Sequence, residues 1–266
     1  MDFIIAIPSF QRSTVLLNRT YKYLKKYGIE DSEINIFVVA EEYDIYKTIY
    51  PTLKVVIGER GIDKQRDFIS KYYKEGQFIV SLDDDITNIW KYSETTDDME
   101  EANPIDLILD AYEQLQTTKY QVVGIYPTSK GVYTGNRGIT YDLKNIVGGC
   151  RLFLNNKRLE RRTYTVCEDC EITMKYYLKY GGVIRLNNYL LNCNYNTLQG
   201  GINSAHNRTP NNKWSQVHKF IAEYPDYAVL RVVNHYPELI LHNINNIKPR
   251  INAKYPKKKK SLKKSV

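Results

Sequence analysis

The chain has 266 residues, of which 42% are hydrophobic and 26% charged. That is enough for one large α/β domain, or two small ones, around an ample core. No apolar stretch approaches the length of a membrane span, and the opening MDFIIAIPSF lacks a basic n-region. It reads as a first strand rather than a signal peptide, so a cytoplasmic protein with no membrane partner is expected. The formal charge of +8 is concentrated at the end, where seven lysines (254, 257, 258, 259, 260, 263 and 264) occur with no acid. Without them residues 1–253 carry about +1. The body is nearly neutral, and residues 254–266 form a polycation expected to be disordered and to bind polyanions without sequence preference.

The first 85 residues repeat strand, turn and helix. Phe3–Ile7 is predicted as a strand. Ser13 can cap a helix with Leu17, Tyr21 and Leu24 on one face and Gly28 past its end. Ile34–Ala40 and Lys54–Ile57 follow as strands, with a short helix at Tyr43–Tyr50 between them. Gly61–Tyr73 is a helix and Gln77–Leu82 a fourth strand. Alternation at this spacing predicts parallel strands with right-handed crossovers. Beyond Asp85 the pattern loosens. Tyr92–Asn103 reads as an exposed acidic loop, Pro104–Thr118 as a helix and Tyr120–Tyr126 as a strand. Residues 127–141 read as a hairpin or mobile loop. Asn145–Leu154 is a strand containing Gly148-Gly149, Cys170–Tyr180 a helix, Val183–Leu186 a short strand and Lys213–Tyr224 a helix. The expectation is a single α/β domain over 1–253: a mostly parallel central sheet with flanking helices in 1–90, and an antiparallel, loop-rich half in 91–253.

The most informative run is Asp83-Asp84-Asp85, three carboxylates directly after an apolar strand. An open α/β sheet holds its ligands at such strand ends. Hard oxygen ligands this close suit Mg²⁺ or Mn²⁺ on a diphosphate. Extended-chain alternation would point Asp83 and Asp85 the same way and Asp84 the other. Asp is also common at helix caps and in solvated turns. Other groups leave the remaining strands in the same register: Pro8, Ser9 and Arg12 after the first, Glu41 after the second, and Gly61, Lys64 and Arg66 after the third. Arginine and lysine there suit a diphosphate, and a carboxylate suits a ribose or base. Glu168-Asp169 precedes the Cys170 helix, where acids also serve as ordinary caps. Cys167 and Cys170 form one C-x-x-C with no second pair, so reduced structural thiols are expected rather than a zinc ribbon.

The order Ile-Pro-Ser-x-x-Arg, Gly-Ile-x-x-x-Arg, Asp83-Asp84-Asp85, Gly148-Gly149 and Glu168-Asp169-x-Glu171 resembles a glycosyltransferase of the GT-A (Rossmann-like) fold, over roughly residues 3–200. More narrowly, the chain resembles the phage and kinetoplastid enzymes, including the base J type, that sugar the hydroxymethyl group of modified pyrimidines in DNA. The resemblance implies that Asp83 and Asp85 hold Mn²⁺ or Mg²⁺ on the diphosphate of a UDP-sugar type donor. Pro8, Ser9, Arg12, Glu41, Gly61, Lys64, Arg66 and Asp84 would hold the nucleotide, and Gly148 and Gly149 would face the sugar and acceptor. Asp169, with Glu168 beside it, would be the general base, and His206 a late metal ligand. DNA would be the acceptor partner, attracted by the lysine tail. Two other readings use the same residues. One is a transferase acting on a polysaccharide or protein; the other is a haloacid-dehalogenase-like phosphatase, to which Asp83-Asp84-Asp85-Ile86-Thr87 also corresponds, although three strands precede it here.

Overall fold

The computed structural model describes residues 2–127, 138–193, 200–201, 209–233 and 235–243. His206 and the lysine tail lie outside the described residues. Four parallel strands form the first half of the main sheet: β1 (Phe3–Pro8), β2 (Ile34–Val38), β3 (Lys54–Ile57) and β4 (Phe78–Leu82), in spatial order β3-β2-β1-β4. Every residue of β2 and β4 is buried, as expected of parallel strands covered on both faces. The chain moves outward from β1 through β2 to β3, then returns to place β4 on the other side of β1. That reversal opens a crevice at the C-terminal ends of β1 and β4.

The sheet continues through β5 (Ile86–Ser93), β6 (Asp98–Glu101), β7 (Val122–Tyr126), β8 (Ile139–Thr140), β9 (Cys150–Leu154) and β10 (Ile184–Cys193), in the order β4-β9-β7-β10-β5-β6 with β8 against β10. β9 runs antiparallel to β4 and β7, while β10 is parallel to β7 and antiparallel to β5. The second half is therefore mixed rather than simply antiparallel. One face carries α1 (Ser13–Leu16), α2 (Lys22–Lys26), α3 (Tyr43–Ile49) and α5 (Pro104–Thr117), through Leu16, Leu24, Tyr46, Leu107 and Ala111. The other carries α4 (Ile62–Tyr72) and α6 (Glu168–Tyr180), through Ile69, Ile172 and Tyr176. A third cluster joins α7 (Pro210–Glu223) and the hairpin β11 (Ala228–Val233)–β12 (Tyr236–Leu241) to Cys167, Cys170 and Met174 at the start of α6. Among the described residues no helix is long and apolar enough to cross a membrane.

Three further expectations need correction. Ser13 is the first helical residue rather than the cap, and a π turn at Leu17–Tyr21 joins α1 to α2. The wider turn rephases the helix, so Leu16, Thr20, Tyr23 and Leu24 are buried while Leu17 faces solvent. The segment expected as an acidic loop contains β6, whose Asp98 and Glu100 are exposed and Glu101 half-buried on a strand paired to the unforeseen β5. Gly148-Gly149 is a turn before β9 rather than part of a strand. The β11–β12 hairpin was not anticipated at all.

Candidate active site

The strand β4 ends at Leu82 and the chain turns at Asp84-Asp85. Thr20, brought inward by the π turn, holds this corner: its hydroxyl donates to the Asp83 carbonyl (2.8 Å) and accepts from the Ile86 amide (2.9 Å). The turn replaces the extended alternation expected for the three acids. Asp84 and Asp85 both reach one nitrogen of Arg12, Nη1, each at 3.2 Å. Ser9 Oγ donates to Asp84 Oδ2 at 2.6 Å and lies 2.7 Å from the Tyr46 hydroxyl. Asp83 is the most open of the three and accepts from Arg66 Nη2 at 2.7 Å.

This crowding shows in proton affinity. Burial pushes the Asp84 carboxyl up to about 7, against the pull of Ser9 and Arg12. Asp85 rises to about 6 through burial and its neighbour Asp83, again opposed by Arg12. Burial is the larger cause at both, and Arg12 offsets it only in part. Among the described residues no group of three or more His, Cys, Asp and Glu is arranged to hold a metal. The donor chemistry still fits a hard divalent ion, because Mg²⁺ is usually held by one or two carboxylates plus substrate phosphates rather than by an all-protein cage. A pH dependence follows with a defined sign. Carboxyls whose folded affinity is raised stabilise the fold at low pH and lose that contribution as pH rises through about 6 and 7. A divalent ion binds the ionised form of Asp85, so the rise in Tm on adding Mn²⁺ is expected to be larger at about pH 8 than at about pH 5.5. Thermal melts with and without Mn²⁺ would check this, and an equal gain at both would remove Asp85 from the metal site.

The other predicted donor residues divide into two groups. Pro8 and Ser9 are buried at the end of β1, with Ser9 on the Asp84 carboxylate. Gly61, at φ 98°, caps α4 in a backbone conformation that favours glycine. Lys64 is exposed on the first turn of α4. Glu41 pairs with Arg60 at 2.8 Å, and the Arg60 guanidinium lies 5.0 Å from the Phe10 ring centre. Loops after β1, β2 and β3 therefore meet at a Phe10–Arg60–Glu41 rim, of which only Glu41 was anticipated.

Arg66 links the acids to α6. Only 5% exposed, it donates Nη1 to Glu168 Oε1, and Nη2 to Asp83 and, at 2.9 Å, to the Gly148 carbonyl. A Cβ on Gly148 would fall 1.9 Å from Nη1, so glycine is required there to admit the guanidinium. The Gly149 carbonyl accepts the Asp83 amide at 3.0 Å. The glycine pair thus shapes the Asp83–Arg66 corner. Glu168 also accepts from Arg162 Nε at 2.8 Å. Burial alone would raise its pKa, but Arg66 and Arg162 outweigh that and bring it down to about 2. Asp169, the next residue on α6, accepts from the Cys170 amide at 2.8 Å and from Asn145 Nδ2 at 3.4 Å. Burial and the adjacent Glu168 charge push its pKa up, against the lowering expected at a helix N-terminus. Cys167 and Cys170 are buried, and burial holds the Cys170 thiol well above its usual range, as expected of structural thiols.

Sequence reading missed Thr20, Tyr46, Arg162 and Glu160, whose partners in the site lie far along the chain or carry no recognisable local spacing. Gln216 on α7 was missed as well. Its Oε1 accepts the Thr165 and Val166 amides, each at 2.9 Å, and so fixes the loop entering α6.

Acids and arginines gathered at the β1/β4 crevice of an open α/β sheet stand where such sheets hold their ligands. Residues 3–201 match the family model described as TET-associated glycosyltransferase, and the chain belongs to that family. That family is one of glycosyltransferases. No curated protein sequence matches it. Among solved structures it is similar to S. aureus TarS 1-349, with a TM-score of 0.46 and 16% identity over 72% of this chain and 59% of that one. It is also similar to 4-diphosphocytidyl-2C-methyl-D-erythritol synthase from Anaerococcus prevotii, with a TM-score of 0.44 and 12% identity over 70% of this chain and 89% of that one. The chain spans less than two thirds of the TarS structure. Both likenesses are loose, and the family match is what assigns the chain.

Proposed function

We propose that this protein transfers a sugar from a UDP-sugar type donor to the hydroxymethyl group of a modified pyrimidine, 5-hydroxymethylcytosine or 5-hydroxymethyluracil, in DNA. The observation that carries the reading is the Asp83–Arg66–Glu168 contact, which puts the acids of the donor side beside the first turn of α6 within a family of glycosyltransferases. The family match and the resemblance to phage and kinetoplastid enzymes support a modified DNA base as acceptor.

In this reading Ser9, Arg12 and the Phe10–Arg60–Glu41 rim hold the nucleotide, with Lys64 and Arg66 toward the diphosphate. Asp83 and Asp85 would hold Mn²⁺ or Mg²⁺, which when bound neutralises the diphosphate leaving group. Asp169 takes the proton of the acceptor hydroxyl as its oxygen attacks the anomeric carbon, and the C–O bond to the diphosphate breaks with its electron pair. The raised affinity of Asp169 suits it to accept a proton, whereas the doubly paired Glu168 is too weak a base. His206 remains a proposed further ligand outside the described residues. The extruded base would have to leave the duplex stack before reaching the site.

The test is incubation with mixed UDP-sugars, Mn²⁺ and DNA containing either hydroxymethylpyrimidine, with mass spectrometry of the digested nucleosides. A hexose or pentose adduct supports both donor and acceptor. Donor hydrolysis with no adduct would move the acceptor to a polysaccharide or protein. The tail enters separately. Deleting residues 255–266 should weaken DNA binding and flatten its salt dependence, each lysine that meets a duplex phosphate contributing about 0.9 to the slope. An unchanged slope would remove the tail from DNA binding.

A further inference from the structure

The Arg66–Glu168 pair is the outer end of a longer buried chain of charges. Arg162, 1% exposed at its side chain, pairs with Glu168, with Glu160 at 3.2 Å and with Asp67 at 3.3 Å. Glu160 also pairs with Arg151 at 2.6 Å and accepts from the Tyr176 hydroxyl at 3.0 Å. Arg66, Arg151 and Arg162 thus face Asp67, Glu160 and Glu168, three cations against three acids. The chain is balanced before Asp83 is counted. Asp83 is an additional acid at its solvent end, with a side chain 28% exposed. Arg66 also keeps a buried donor, Nε, with no partner among the described residues. A buried donor left unmatched is costly, and a phosphate oxygen would satisfy it.

We propose that Glu168 is a positioning residue that competes with Asp83 for Arg66, and so sets how readily Asp83 is surrendered to a divalent ion and donor diphosphate. This rests on the reading of Asp83 as part of the donor site. Glu168 holds Nη1 while Asp83 holds Nη2, so the one guanidinium is shared between the two acids, and Asp83 can exchange its share for a metal without leaving a buried cation unpaired. Arg162 moderates the same contest, because whatever it takes from Glu168 weakens the hold of Glu168 on Arg66. Glu168 and Arg162 therefore have opposite effects on the metal site.

The experiment is titration of Mn²⁺, followed by thermal shift and by calorimetric binding of UDP, on wild type, Glu168→Gln and Arg162→Lys. In Glu168→Gln, Arg66 has Asp83 as its only ionised partner. The Mn²⁺ midpoint should rise about tenfold, the scale of one charge-assisted hydrogen bond. In Arg162→Lys the Nε contact to Glu168 is lost, Glu168 takes more of Arg66, and the midpoint should fall or stay at the wild-type value. Midpoints that rise together in both variants would reduce the chain to a structural support and overturn the proposal, as would an unshifted midpoint in folded Glu168→Gln. If Arg162→Lys fails to fold, the Glu168→Gln midpoint decides alone. Wild-type protein that shows no Mn²⁺-dependent UDP binding would instead overturn the donor-site reading itself.

Discussion

Asp169→Asn is expected to bind UDP and Mn²⁺ as the wild type does and to lose transfer by about 10²–10⁴-fold, the range a positioned general base contributes. The expectation comes from the division of labour between two adjacent acids. Glu168, with an arginine on each oxygen, is committed to its ionised form and has little tendency to take a proton. Asp169 has no arginine in hydrogen-bonding contact among the described residues; its partners are one backbone amide and the Asn145 amide. Asparagine keeps the side-chain oxygen that accepts the Cys170 amide, so the first turn of α6 should survive. Thermal melting would confirm that, nucleotide binding would confirm the donor side, and single-turnover transfer would report the base. Wild-type turnover in a folded variant would exclude Asp169 as base. Loss of UDP binding would instead place it on the donor side.

The parallel half of the fold was legible because its signals are local. β1 to β4 are short apolar runs ended by polar residues, and buried parallel strands leave that mark in the sequence. The register of Ser9, Glu41, Arg66 and Asp83 after successive strands follows from the same alternation. Legibility failed where a long-range contact decided the structure. β6 is an acidic strand on the sheet edge, held by pairing with β5 rather than by apolar burial. The π turn in the first helix shifts the buried face by part of a turn to bring Thr20 beneath Asp83, and no spacing in residues 13–26 announces it. Gly148-Gly149 was visible as a motif, but its reason, the guanidinium of a residue 82 positions earlier, was not. Arg162 and Glu160 read locally as unremarkable surface charges. Their partners Arg151 on β9, Asp67 on α4, and Glu168 and Tyr176 on α6 make them interior.

The larger effect at the donor side is expected from Asp83→Asn, with transfer reduced about 10³-fold or more, the scale of the several kcal/mol a bound metal supplies. Asp84 and Asp85 are drawn inward to Arg12, and Asp84 is further fixed by Ser9. Asp83 is the acid left most accessible, and its one side-chain partner among the described residues, Arg66, has other acceptors in Glu168 and the Gly148 carbonyl. Asparagine retains an oxygen for Arg66 Nη2 and nearly the same shape, while removing the charge a divalent ion requires. The melting temperature in the absence of metal should therefore stay close to wild type, and the gain in Tm on adding Mn²⁺ should largely disappear. Activity alone would not separate these effects, because a distorted corner also lowers turnover. The metal-dependent part of the melt does so. If Asp83→Asn keeps the full Mn²⁺ gain, the ion is held without Asp83, and the contest between Asp83 and Glu168 for Arg66 has no bearing on donor binding.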